Sequence, residues 1–142
     1  MKHHFKRLLP AEWNERIMTL ADFDRYCQVG GVLVCEVALD CTGRYLTIEG
    51  LPVILLNKKL RGIKKTRVAF HELGHHWLHV PGADASCNGD QKREAEARVI
   101  EACALIPQPL LLNSPLWEIG EMYGYPKDLL RFRHRVYQYY EL

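Results

Sequence analysis

Residues 64–79 read KKTRVAFHELGHHWLH. The stretch is compatible with one helix, in which residues four apart stack on one face, so His71 and His75 offer two imidazoles to a single metal ion. Phe70, Leu73 and Trp77 fall together on the far side, while Val68, His75 and His79 fall near the ligand side. Gly74 stands mid-helix, where it costs about 1 kcal/mol relative to Ala and so points to a close backbone approach. These features predict a buried helix whose imidazoles face a pocket. Zinc suits such a pair, and an open zinc site takes a third protein ligand and leaves a position for water, whose pKa falls toward neutrality. Glu72 lies beside the ligand face, placed to take the proton from that water. The competing reading is a pair of core histidines bonded to their neighbours. Three fixed letters in five arise readily by chance in a chain with seven histidines, so a third ligand has to decide.

Working upstream, Val32–Leu39, Arg44–Glu49 and Leu51–Leu56 are rich in β-branched and apolar residues and are separated by turn-forming residues at Asp40–Gly43 and Gly50. They predict a small antiparallel or mixed sheet of three strands just ahead of the helix. An edge strand beside a metal cleft can hold an extended peptide by backbone hydrogen bonds, and part of the segment Leu51–Asn57 is expected to serve in that way. Before the sheet, Pro10 and the spacing of Trp13, Ile17 and Leu20 predict one helix, and Ala21 to about Gln28 a second.

Downstream, residues 81–90 read as a loop, and a helix is expected from about Gln91 to Ile106, stopped by Pro107. Glu96 shares a face with Val99, Ile100 and Cys103, whereas Glu94 and Glu101 flank Arg98 on the opposite side at spacings that suit surface ion pairs. A carboxylate on an apolar face is costly to bury unless a charge meets it, and zinc is such a charge. The third ligand expected on these grounds is Glu96, with Glu94 the runner-up.

HELGH, the following His79, and EAEARVIEACALIP resemble the ImmA/IrrE-type metallopeptidases, and weaker similarity runs through GLPVILLNKKL and on to the C-terminus. The resemblance implies a zincin-like α+β fold: a three-stranded sheet packed on the HExxH helix and a second ligand helix, followed by a helical C-terminal segment. It implies Zn²⁺ held by His71, His75 and Glu96, with Glu72 as catalytic base. It also implies a protein substrate, since family members cleave, or are proposed to cleave, helix-turn-helix repressors of mobile elements or stress genes. Two departures stand out: Arg98 where the family usually has Asn, and Ile100 and Ile106 where it has an aromatic residue or Met. A donor to the developing oxyanion is also needed, for which His79, Tyr45 and Tyr123 are the candidates, and His76 is expected in a supporting or surface position.

The remaining sequence frames this reading. At 142 residues with 48% hydrophobic content, the chain is expected to fold as one domain, with residues 1–9 mobile and 107–142 a helical subregion. A net charge of +2 does not by itself point to nucleic acid or a membrane. No apolar run is long enough to span a bilayer, no secretory leader is evident, and five scattered cysteines without a CxxC pair argue against a disulfide framework, so a cytoplasmic location is expected. Two alternatives remain. IGEMYGYPKDLLRFRHRVYQYY is similar to a helix-turn-helix with a basic second helix carrying Arg131, Arg133, His134 and Arg135, which suggests a DNA-binding module. The other is a zinc-binding protein that works by contact with a partner rather than by catalysis.

Overall fold

The computed structural model describes residues 9–79 and 91–142. The expectations for residues 1–8 and for the loop at 81–90 lie outside them. The fold is α+β, and the chain divides into two compact units: Thr19–Glu101, and the described part of Met1–Met18 together with Ala102–Leu142.

The first unit begins with α1, Leu20–Val29, whose start is fixed by a capping box. The Thr19 side chain accepts from the Asp22 backbone N–H, and the Asp22 carboxylate accepts from the Thr19 N–H, so two otherwise orphaned donors are satisfied. Phe23 and Cys27, four apart, are buried, and Phe23 meets Phe70 with ring centroids 6.0 Å apart. Three strands follow, β1 Leu33–Val37, β2 Gly43–Ile48 and β3 Leu51–Asn57. β2 and β3 are joined by Glu49 and Gly50, both at positive φ (52° and 81°), the backbone that a tight two-residue hairpin demands. The sheet is mixed in the order β1-β3-β2, with β1 parallel and β2 antiparallel to β3.

That order overturns the expectation for Leu51–Asn57. β3 is the central strand, with its hydrogen-bonding edges taken up on both sides, and cannot accept a further chain. β2 pairs on one side only among the described residues.

Helix α2, Gly62–Leu78, lies against the sheet face carrying Tyr45, Ile54 and Leu56, and buries Ala69, Phe70 and Leu73. Helix α3, Gln91–Leu105, is exposed at its start but buried at nearly every position from Ala97 onward.

In the second unit the predicted first helix is absent: residues 11–16 form turns. Asn14 sits in the left-handed region at φ 65° and is 7% exposed. Its Oδ1 accepts from the Gln108 N–H (2.9 Å) and from Arg133 Nη2 (3.2 Å), and its Nδ2 donates to the Leu142 carbonyl (2.6 Å). These tertiary bonds outweigh a local helical pattern that propensity favours only weakly. The C-terminal region holds three helices, α4 Gln108–Asn113, α5 Leu116–Tyr123 and α6 Lys127–Tyr140. Gly124 takes the left-handed cap between α5 and α6 at φ 69°. Arg133, counted by sequence among the residues of a basic outer face, is fully buried and donates to the Ile106 and Leu142 carbonyls.

Cys27 and Cys103 are free and buried, and burial raises their thiols to about 12 and about 11. Cys41, against expectation, is disulfide-bonded.

Candidate metal centre

The helical period places Arg67, His71 and His75 one above another along α2. Facing them on α3 are Glu94, Ala97 and Glu101, spaced i, i+3, i+7. The two helices run antiparallel, so polar partners meet in reverse order. Arg67 Nε donates to Glu101 Oε2 (2.7 Å), His71 lies between Glu101 Oε1 (Nδ1, 3.3 Å) and Glu94 Oε2 (Nε2, 2.8 Å), and His75 Nε2 lies 2.9 Å from Glu94 Oε1. Small residues permit the approach: a Cβ on Gly74 would stand 3.0 Å from Ile100 Cβ and 3.3 Å from Ala97 Cα.

Electrostatics follow from the ladder. Carboxylates only accept, so His71 between two of them must donate from both ring nitrogens, as an imidazolium. Burial opposes that charge, but hydrogen bonds to Glu101 and Glu94 outweigh it and push His71 up to about 9. His75 is driven the other way, to about 4, by burial and by the His71 charge beside it. Its Nδ1 meets His79 Nδ1 at 2.9 Å. Its Nε2 is buried without a properly aligned hydrogen bond, although the Glu94 oxygen is close. Glu94 also pays for burial, but hydrogen bonding to His71 holds it below the usual carboxylate range.

His71, His75 and Glu94 each offer one ligand atom, and these atoms lie within 4.8 Å of one another. Donors about 2.0–2.2 Å from a tetrahedral zinc stand roughly 3.4 Å apart, so a small inward movement would complete a two-imidazole, one-carboxylate set. The buried, unaligned His75 Nε2 is the kind of atom that a cation would satisfy. The donor set therefore fits a divalent metal.

The site differs from the sequence expectation at the third position. Glu94, not Glu96, meets the imidazoles, and Glu96 lies outside the group that could hold a metal. Glu101, assigned by spacing to the surface, is only 7% exposed and reaches His71 and Arg67. The misreading has a physical origin: α3 is buried almost all round from Ala97, so its apolar residues do not mark the face toward α2. Ala97, small and in register between the two acids, was the signal that could have marked it.

Glu72 is 6% exposed, and its Oε2 has no hydrogen-bond partner. Burial raises its carboxyl to about 7; the His71 charge opposes the rise, and the Glu94 and Glu101 charges reinforce it. Its stem is held by β2, since a Cβ on Gly43 would lie 3.1 Å from Glu72 Cγ and 2.6 Å from Val68 Cγ1. Of the three candidate oxyanion donors, Tyr45 is buried on β2 with its hydroxyl 2.9 Å from His76 Nδ1, and His79 is engaged with His75. Tyr123 belongs to the other unit, at the end of α5, stacked on Tyr125 at 5.4 Å.

A family model described as Peptidase_M78, IrrE N-terminal-like domain, matches residues 28–122, more than half of the chain and all of the site. No curated protein and no solved structure matches it.

Proposed function

The chain belongs to the Peptidase_M78 family of IrrE N-terminal-like domains, and from that premise we propose that it is a zinc-dependent endopeptidase acting on a protein substrate. The observation that carries this reading is the convergence of His71, His75 and Glu94 beside the buried carboxylate of Glu72, whose Oε2 has no hydrogen-bond partner. His71, His75 and Glu94 hold the metal. A bound Zn²⁺ supplies Lewis acidity, polarising the scissile carbonyl and making water easier to deprotonate. Glu72 accepts the proton of the attacking water at its carboxylate and hands it to the departing amine nitrogen. Burial serves this step, because a carboxylate poorly solvated by water is a better proton acceptor.

Substrate is held, in this proposal, along the outer edge of β2, which runs past Glu72 at Gly43. An extended peptide added there would be bound through its backbone and read only at alternate side chains. The resemblance to ImmA/IrrE-type enzymes favours a helix-turn-helix repressor as the physiological substrate and the cytoplasm as the place of action. No helix among the described residues is long and apolar enough to cross a membrane. The burial of Arg133 weighs against DNA binding by α6, since it removes one cation from the supposed basic face.

The test is cleavage. Zinc-loaded wild type and Glu72→Gln are incubated with a mixed peptide library and with purified helix-turn-helix repressors, and new termini are read by mass spectrometry. Wild type is expected to cut, and the variant to retain zinc and lose about 10²–10⁴-fold in rate. Equal cleavage by the two zinc-loaded proteins would reject the role of Glu72.

A further inference from the structure

Glu101 has the spacing of a surface ion-pair residue, yet it lies on the site. It is buried, and its two oxygens are divided between two partners: Oε2 accepts from Arg67 Nε at 2.7 Å, and Oε1 faces His71 Nδ1 at 3.3 Å. The guanidinium makes the burial of this carboxylate tolerable and fixes its orientation, because one oxygen is anchored and the other is left pointing at the imidazole. A metal-binding histidine needs such a partner. With a carboxylate on Nδ1, the proton stays on Nδ1, the lone pair is confined to Nε2, and the ring cannot turn.

Resting on the metal-site reading above, we propose that Glu101, anchored by Arg67, is the positioning residue for His71, holding its Nδ1–H so that Nε2 is presented to the metal opposite Glu94. The helix pair then carries two acids with separate duties. Glu94, seven residues before Glu101 on the same face of α3, faces Nε2 of both histidines and is the ligand. Glu101 faces only Nδ1 of His71, the ring nitrogen turned away from the metal, and so acts through His71. His75 has no carboxylate on its Nδ1 but His79 instead, at 2.9 Å. The two imidazoles are therefore oriented by different means, and His71 is the one held by charge.

The experiment measures zinc affinity by competition with a chromophoric chelator for wild type, Glu101→Gln and the double variant Arg67→Met/Glu101→Gln. Thermal unfolding of each metal-free protein is recorded alongside. The double variant removes the ion pair as a unit, leaving no unpartnered guanidinium. Both variants are expected to bind zinc about 10–100-fold more weakly than wild type. A second readout, on zinc-loaded wild type itself, is ¹H–¹⁵N NMR of the His71 ring, which should show a slowly exchanging, downfield proton on Nδ1 and metal coordination through Nε2. A merely structural role would not produce that proton. Wild-type affinity in both variants, or Nδ1 coordination in wild type, would overturn the proposal while leaving the metal site intact. Failure of wild type to bind zinc would instead overturn the metal-site reading and this proposal with it.

Discussion

Glu94 and Glu96 are two residues apart on one helix, and only one of them reaches the imidazoles. The distinction decides where the positive charge of a metal is balanced, and the apolar period does not give it, because α3 is buried almost all round from Ala97. His71, Glu72 and His75 were legible, since their spacing alone puts two imidazoles and a carboxylate on adjoining faces of one turn. The pH behaviour of the metal-free protein follows from the same groups. His71 has its folded value raised to about 9 from an ordinary 6.5, so the folded state holds more protons than the unfolded one between those values. Its contribution to stability is fully present below about pH 6.5 and is lost as pH rises through about 9. Chelator-treated protein should therefore unfold at a lower temperature at pH 9 than at pH 7, and a flat or rising midpoint would contradict the pairing of His71 with Glu94 and Glu101. With zinc present the trend reverses, because the metal displaces that proton and binds more tightly as pH rises.

At the scale of elements, the site depends on how closely α2 approaches α3 on one side and β2 on the other, and a glycine stands at each approach. Gly74→Ala gains about 1 kcal/mol of helix propensity but drives a methyl to 3.0 Å from Ile100 Cβ and 3.3 Å from the α3 backbone. The net effect expected is a loss of about 1–2 kcal/mol, measured by denaturant unfolding, with weakened metal binding because the helices are wedged apart. Gly43→Ala meets Val68 Cγ1 at 2.6 Å and Glu72 Cγ at 3.1 Å, so it should lower catalytic rate more than metal affinity. A Gly43→Ala protein with wild-type turnover would show that β2 does not position Glu72. The sequence marked Gly74 as a point of close approach because a glycine in mid-helix needs a reason. Gly43 carried no such mark, since it sits where a turn was expected. The three strands were likewise legible from alternation and turn residues, but their order was not, because pairing is decided by long-range contacts. β3, read as an edge, is the centre.

For the whole molecule, the two compact units divide the duties. Every residue of the metal site lies within Thr19–Glu101, and the second unit is organised around the buried Arg133 and Asn14. Their network was invisible to periodicity, because an Arg four residues before Tyr137 on a basic helix looks like a solvated charge until its partners are seen. The disulfide at Cys41 likewise could not be read from spacing. A ligand that binds only the folded state stabilises it by mass action, so zinc at 100 times its Kd should add about 2.7 kcal/mol. The unfolding transition of wild type should accordingly move up with zinc and back down with chelator, and that of Glu94→Ala should not move. The most direct test of the central claim is the zinc content of protein purified without added metal, comparing wild type with Glu94→Ala and Glu96→Ala. About one zinc per chain in wild type and in Glu96→Ala, with none in Glu94→Ala, is the predicted result. Zinc retained by Glu94→Ala and lost from Glu96→Ala would contradict the site described, and zinc absent from all three would return His71 and His75 to the status of buried, carboxylate-paired histidines.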